Sequence, residues 1–292
     1  MSTQPSRLYR RCLKFSKAMS PGLLLLCAAP ARAGHQVQRF KVDSRPVVTI
    51  SNPSGQITVK AWTRPEVMVV SERASNDVGI DAEQTGNRVD IVTRQISESA
   101  APESVRADYQ INVPQDAELQ IHDDSGTVTV TNVLGDMNIE TIGAGVDLED
   151  GAGYLTVKTV GGSFQCVRCA GRVEASSISG DLRLLDMRTY HVRAQTSTGN
   201  ILFYGEFLPN GIYRLKNYSG AIEVRFSPGD SFDLSATSLK GQVNNEAKLA
   251  PHPHADHAEP RYGNSLFGTL NMGRAKVELT SFDGTINIRR RD

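Results

Sequence analysis

The residues best suited to chemistry lie in Pro251-His-Pro-His-Ala-Asp-His257-Ala-Glu-Pro260, which holds three of the six histidines together with Asp256 and Glu259. Imidazoles at this density bind zinc, nickel or copper, so His252, His254 and His257 are the candidate metal ligands. Three prolines in the same stretch favour the competing reading, a solvated polar insertion between strands near Val243 and Leu270. A second candidate is Cys166-Val-Arg-Cys169. A zinc site of this type needs a second cysteine pair, and redox chemistry of the thioredoxin kind needs a βαβ context. Neither is present in the sequence, which leaves a local disulfide between Cys166 and Cys169 or two unpaired thiols.

Carboxylates come next. Asp123-Asp124 and Glu149-Asp150 are adjacent acidic pairs, and Asp147 precedes the second of them. Acid and base work on a glycan requires carboxylates gathered on one face. Both pairs fall where turns are expected, and turns use Asp for its local backbone hydrogen bonds. His122 and His191 have no nucleophile context, so no catalytic residue is assigned and no enzyme is expected; a polysaccharide lyase or hydrolase is the enzymatic alternative.

The elements that would position these groups follow a repeat. Gly126, Gly135, Gly153, Gly162, Gly171 and Gly180 fall on a nine-residue grid, and each is followed by a short alternation such as Thr127-Val-Thr-Val130 or Asp181-Leu-Arg-Leu184. A period of two over four residues reads as a strand with one buried face. If every second strand stacks on its predecessor, Val128, Val146, Phe164, Leu182, Ile201, Ile222 and Val243 form one apolar column. Val130, Leu148, Cys166, Leu184, Phe203 and Val224 form another, and Met137, Leu155, Val173, Val192, Tyr213 and Phe232 a third on the opposite face. The expectation is an all-β parallel β-solenoid with turns of about 18–21 residues, its glycines and Ser/Thr-x-x-Gly segments at corners. A phosphate loop is the competing reading; these glycines precede strands and open no helix, which speaks against it, and no cofactor is expected. Calcium-binding nonapeptide repeats share the period but need Gly-Gly-x-Gly-x-Asp in each copy, a pattern absent here. Residues 34–115 are β-rich but off the grid and read as an N-terminal cap containing Trp62. Residues 116–292 carry the repeats, with the His/Pro-rich insertion at 250–265.

Charge separates the chain into two objects. Lys plus Arg equals Asp plus Glu at 32 each, yet six basic and no acidic residues lie in residues 1–33, so the remainder carries 26 positive against 32 negative charges. A net acidic body without a basic stripe argues against nucleic-acid binding. The basic start, the apolar run Leu23–Ala29 and the site Ala31-Arg32-Ala33 have the layout of a secretory signal peptide over 1–33. Arg10-Arg11 admits a twin-arginine variant, and Leu26 before Cys27 speaks against lipidation. After removal of that segment no stretch approaches the roughly 20 apolar residues of a membrane-spanning helix. The expected location is exported: periplasm, cell surface or outside the cell.

Asn52-Pro-Ser-Gly55-Gln-Ile-Thr-Val59, Trp62, Val67–Val70, Tyr109-Gln-Ile-Asn-Val-Pro114 and the closing Phe282-Asp-Gly284-Thr-Ile-Asn-Ile288 together resemble the DUF4097 family of adhesin-like exported bacterial β-strand-repeat proteins. The resemblance spans nearly all of the chain after the leader. It implies a non-enzymatic β-solenoid of the cell envelope with an adhesive, binding or scaffold role, an envelope protein or a glycan as partner, and no functional positions to carry over. A periplasmic sensor for a membrane signalling protein fits the same features.

Overall fold

The computed structural model describes residues 34–97, 104–251, 261–262 and 264–291. Residues 1–33, expected from the sequence to be a signal peptide, and His252, His254 and His257 lie outside the described residues. The described residues are all-β, with 66% of them in strands. The N-terminal strands are β1 (His35–Lys41), β2 (Val47–Trp62), β3 (Glu66–Arg73), β4 (Val78–Thr85), β5 (Arg88–Gln95) and β6 (Ala107–Pro114). Then follow β7 (Glu118–Thr131), β8 (Met137–Thr141), β9 (Gly145–Glu149), β10 (Tyr154–Thr159), β11 (Phe164–Val167), β12 (Ala170–Ser177) and β13 (Leu182–Thr196). The C-terminal set is β14 (Ile201–Gly205), β15 (Ile212–Asn217), β16 (Ala221–Phe226), β17 (Phe232–Ser238), β18 (Val243–Asn245), β19 (Arg261–Tyr262), β20 (Ser265–Leu270), β21 (Ala275–Ser281) and β22 (Thr285–Arg290).

The expected parallel β-solenoid is not the architecture found: seven parallel strands close a barrel, with the other strands outside it. Hydrogen bonding runs β7–β8–β10–β12–β13–β11–β9 and back to β7, parallel at every step. Closure follows from strand length. The sequence suggested short strands broken at Gly126, but β7 runs through that glycine, so Leu119–Asp123 pair with β8 while Thr127–Thr131 pair with β9. At the far side β13 does the same, pairing through Leu182–Leu185 with β11 and through Arg188–Gln195 with β12. Two strands that each serve both faces turn the expected open coil into a ring.

Inside the ring the side chains stack in register. Val128, Val146, Phe164, Leu182 and Ile201 are successive partners, as are Val130, Leu148, Cys166, Leu184 and Phe203, all within 2% of complete burial. A barrel of about this strand number has an interior that side chains just fill. The columns depart from expectation at their ends. Tyr213 meets Val277 of β21 instead of Phe232, and Ile222 meets Ile286 of β22 instead of Val243, because β21 and β22 insert between strands that precede them in sequence. At the other end β2 lies parallel along β7 from Val47 to Lys60, and β3, β4 and β1 add antiparallel strands around it. Trp62 donates its indole N–H to the Glu66 carbonyl at 2.8 Å and carries the Arg64 guanidinium over its ring.

The bend that lets β7 continue is made by Gly126, whose φ of 128° lies where side chains are strained. A Cβ there would also run into the Gly55 carbonyl of β2. Gly126→Ala is therefore expected to lose at least about 1–3 kcal/mol of unfolding free energy, measured by urea denaturation; a variant as stable as the wild type would show that the bend is relaxed.

Beside this bend sits a buried polar network. Asn52 donates through Nδ2 to Asp123 Oδ1 at 3.1 Å and to the Ala107 carbonyl at 3.2 Å, while its Oδ1 accepts from the Thr93 hydroxyl at 2.8 Å. Thr93 in turn shares a hydrogen bond with the Tyr109 hydroxyl. Asp123 is 1% exposed and its Oδ2 has no partner. Burial, partly opposed by the Asn52 hydrogen bond, pushes its carboxyl up to about 7 from 3.8. The folded state thus holds a proton that the unfolded chain releases between about pH 4 and 7, and the corresponding stability is lost as pH rises through that window. The wild-type urea midpoint is expected to fall more between pH 5 and 8 than that of Asp123→Asn; parallel pH profiles for the two proteins would contradict this.

Candidate binding site along the corner row

Most rungs turn the same corner after a buried hydroxyl. Thr159 accepts from the Gly162 N–H at 2.9 Å, Ser177 from Gly180 at 2.7 Å, Thr196 from Gly199 at 3.2 Å, Ser281 from Gly284 at 2.9 Å and Ser238 from Gly241 at 3.1 Å. A hydroxyl three residues before a glycine supplies the acceptor that a tight turn needs. With that residue held inward, its successor points out to solvent. The successors are Val160, Ile178, Ser197, Phe282 and Leu239, and the equivalent corners after Thr141 and Asn217 present Ile142 and Tyr218.

Backbone hydrogen bonds order these residues into one row. Gly161 donates to the Ile142 carbonyl, Ser179 to Val160, Thr198 to Ile178, Ser219 to Ser197, Asp283 to Tyr218 and Lys240 to Phe282, at 2.7–3.0 Å. The row therefore reads Ile142, Val160, Ile178, Ser197, Tyr218, Phe282, Leu239, with neighbours about 4.8 Å apart. Ile142, Ile178 and Tyr218 are each 56% exposed and Leu239 63%. Isolated exposed apolar side chains need no explanation, but apolar residues at the consecutive corners Ile142, Val160 and Ile178, and again at Tyr218, Phe282 and Leu239 beyond Ser197, mark an interaction surface. Toward its far end the rings of Tyr218 and Phe282 stack at 4.6 Å and 9°, and the Lys240 ammonium lies 4.8 Å from the Phe282 centroid.

A groove of about 560 Å³ runs beside this aromatic end. Tyr218, Phe282 and Leu239 line it together with Gln195, Lys216, Thr237 and Thr280, and the buried Thr196, Asn217 and Ser281 belong to its lining. Lys216 is the only charged lining residue among the described residues. Asn217 is 2% exposed, and neither its Nδ2 nor its Oδ1 has a hydrogen-bond partner.

The residues singled out from sequence lie elsewhere. Asp150 accepts from the Arg168 guanidinium at 2.7 and 2.8 Å, and Glu149 pairs with the same group, which holds the Asp150 carboxyl below its usual range. Asp147 is exposed in a mixed column between Thr129 and Gln165. Asp123 is buried in the network described above, whereas Asp124 is exposed at the head of the corner row, its carbonyl accepting from Gly143. His122 lies 3.5 Å from Glu140, which also pairs with Lys158 at 3.1 Å. Cys166 and Cys169 form a disulfide with Cα atoms 6.0 Å apart, closing the turn from β11 to β12. Among the described residues no cluster of three or more His, Cys, Asp or Glu could hold a metal ion. The corner row itself was missed in the sequence, although Thr/Ser-apolar-x-Gly recurs at 159–162, 177–180, 238–241 and 281–284.

No protein-family model matches the chain, and no curated protein matches it. Among solved structures it is similar to a candidate adhesin from Bacteroides fragilis, with 11% identity over 88% of this chain and 97% of that one and a TM-score of 0.43. A candidate cell-adhesion protein from Clostridium sporogenes is 12% identical over 88% of this chain and all of the other, with a TM-score of 0.25. A candidate lipid-binding protein from Parabacteroides distasonis is 10% identical over 88% and 97%, with a TM-score of 0.34. At these scores the likenesses carry no functional assignment.

A corner hydroxyl should matter independently of any ligand. Ser177→Ala leaves the Gly180 N–H without its acceptor and is expected to cost about 1–3 kcal/mol in urea denaturation; no measurable loss would mean that the hydroxyl does not hold the corner.

Proposed function

We propose that this chain is an exported, non-catalytic binding protein of the bacterial cell envelope, adhesin-like in holding a partner on the corner row and its groove. The observation that carries this reading is one backbone-bonded row of corners that presents Ile142, Val160 and Ile178 on the barrel and, past Ser197, the stacked pair Tyr218 and Phe282 with Leu239 on the C-terminal strands. Placing apolar side chains in water at successive rungs gains nothing for folding, so their value lies in what covers them. Binding is favoured over glycan cleavage because the acidic pair best placed for acid–base work, Glu149 and Asp150, is taken up by Arg168. Export rests on the basic and apolar layout of residues 1–33, and the envelope context on the DUF4097 resemblance. A scaffold or sensor role would use the same surface.

The test compares purified wild-type protein with a Tyr218→Ser, Phe282→Ser, Leu239→Ser variant in sedimentation with bacterial envelope material. Retention of the variant is expected to fall by about tenfold or more, equivalent to about 1.4 kcal/mol, with circular dichroism unchanged. Equal retention of both proteins, or none of the wild type, overturns the reading.

A further inference from the structure

The outward face of β12, β13, β15 and β21 gathers cations that lie far apart in sequence. Register sets Glu174 beside Arg193, Arg193 beside Arg214 and Arg214 beside Glu278, with Lys216 between Gln195 and Thr280 two residues further along. Glu174 is bonded to the Arg172 guanidinium, and Glu278 accepts from Arg214 at 2.7 Å. Arg193 and Lys216, both exposed, have no ion-pair partner among the described residues. Like charges on neighbouring strands, about 4.8 Å apart at the backbone, are destabilising. Their field is felt at His191, whose imidazole is held below its usual range by burial and by Arg172, Arg214 and Arg193, against Glu174. Such a patch is out of keeping with a chain that carries 26 positive against 32 negative charges past residue 33. Arg193, Arg214 and Lys216 line a groove of about 360 Å³, and Gln195, Lys216 and Thr280 line both this groove and the aromatic one. We infer that the joined grooves bind a phosphate-headed lipid, its phosphate held by Arg193, Arg214 and Lys216 and its chain laid over Tyr218, Phe282 and Leu239. This rests on the binding role proposed above and names the chemical class of the partner.

The extent of the patch and what adjoins it select this class. The cations end within a few strands, since the same rows continue as Thr156 before Glu174, Ser235 after Glu278 and Thr237 after Thr280. A nucleic acid or an acidic polymer would need cations along its length, whereas a compact cluster suits a single anionic head. Beside it the apolar row supplies what the rest of an amphiphile requires, because each buried methylene adds to affinity. Three cationic side chains around one point match the three acceptor oxygens of a phosphate. A carboxylate has two oxygens and is satisfied by one guanidinium, as Glu278 is by Arg214. A peptide strand would need a free backbone edge for sheet addition. Here the corner backbone groups are bonded to one another from Ser197 through Tyr218 and Phe282 to Lys240.

The test titrates the purified protein calorimetrically, below micelle formation, with dodecyl phosphate, hexyl phosphate, dodecanoate and an uncharged dodecyl polyethylene glycol ether. Dodecyl phosphate is expected to bind at least about tenfold more tightly than each of the other three. Arg193→Gln combined with Lys216→Gln should weaken dodecyl phosphate about tenfold or more and leave the uncharged ether unchanged. Tyr218→Ser should weaken both dodecyl compounds, while Ile142→Ala, at the opposite end of the row, should affect neither. All four side chains are exposed, so the variants are expected to melt with the wild type. Binding of the ether or of dodecanoate as tight as that of dodecyl phosphate, or dodecyl phosphate binding untouched by the double substitution, overturns the inference. In parallel, retention on envelope material is measured after solvent extraction of its lipids or after protease. Retention lost to extraction and resistant to protease supports the lipid. No binding of dodecyl phosphate, with retention that survives extraction and is lost to protease, overturns it; that outcome points to a protein partner and leaves the broader role standing. Absence of any retention through the row ends the broader role itself.

Discussion

Everything in this molecule depends on parallel backbone hydrogen bonding between segments held at a constant offset. Through the ring the offset is 18 residues, as in Met137 to Leu155 to Val173 or Val146 to Phe164 to Leu182, except between β12 and β13, where a bulge makes it 19 from Arg172 to His191 onward. A parallel ladder places like position on like position, so whatever residue type stands at one place in the repeat becomes a column. Inward places become the apolar core. The corner place becomes a line of hydroxyls, each spent locally on its own turn. The place after it can only face water, and apolar residues there accumulate into the exposed row. Core, corner and row are thus three readings of one register.

The same register makes exceptions informative, because a departure sits among neighbours that state what the position ordinarily requires. Asn217 occupies a hydroxyl position without doing a hydroxyl's work. Asp123, in the equivalent place on β7, joins Asn52 of β2 in a network that also takes in Thr93 and Tyr109, and burial raises its carboxyl toward neutrality. The Tyr109 hydroxyl is likewise pushed up to about 12 by burial, so it stays neutral and serves as a hydrogen-bonding group. One departure lies under the bend of the long strands β2 and β7, the other beside the aromatic end of the row.

How much of this was legible in the sequence follows from what a repeat encodes. The pairing of Val128 with Val146 and Phe164, or of Leu155 with Val173, could be read because the spacing is fixed and the burial alternates. Closure could not. Whether a strand stops at Gly126 or bends through it depends on the close approach of Gly55, a residue 71 positions away. The order of the last strands was also hidden: Phe232 continues the column after Tyr213 as well as Val277 does by apolar type, and only tertiary pairing inserts β21 between them. The groove was missed for a different reason. An apolar residue in a turn is unremarkable by itself, and its meaning emerges only when the register brings Ser197, Tyr218, Phe282 and Leu239 side by side.

Insertion of β21 and β22 bears directly on how the site is assembled. Tyr218 follows β15 and Phe282 follows β21, yet they stack because β21 pairs along β15 from Ile212 to Asn217. Leu239 joins them only because β17 pairs with the other side of β21. The aliphatic part of the row, from Ile142 to Ile178, is built from consecutive corners of the ring. Its aromatic part requires segments about 40–60 residues apart in sequence to close, and such long-range pairing pays its loop entropy before any contact repays it. The groove therefore forms only where the ladder is complete, and its shape reports the docking of the C-terminal strands onto the barrel.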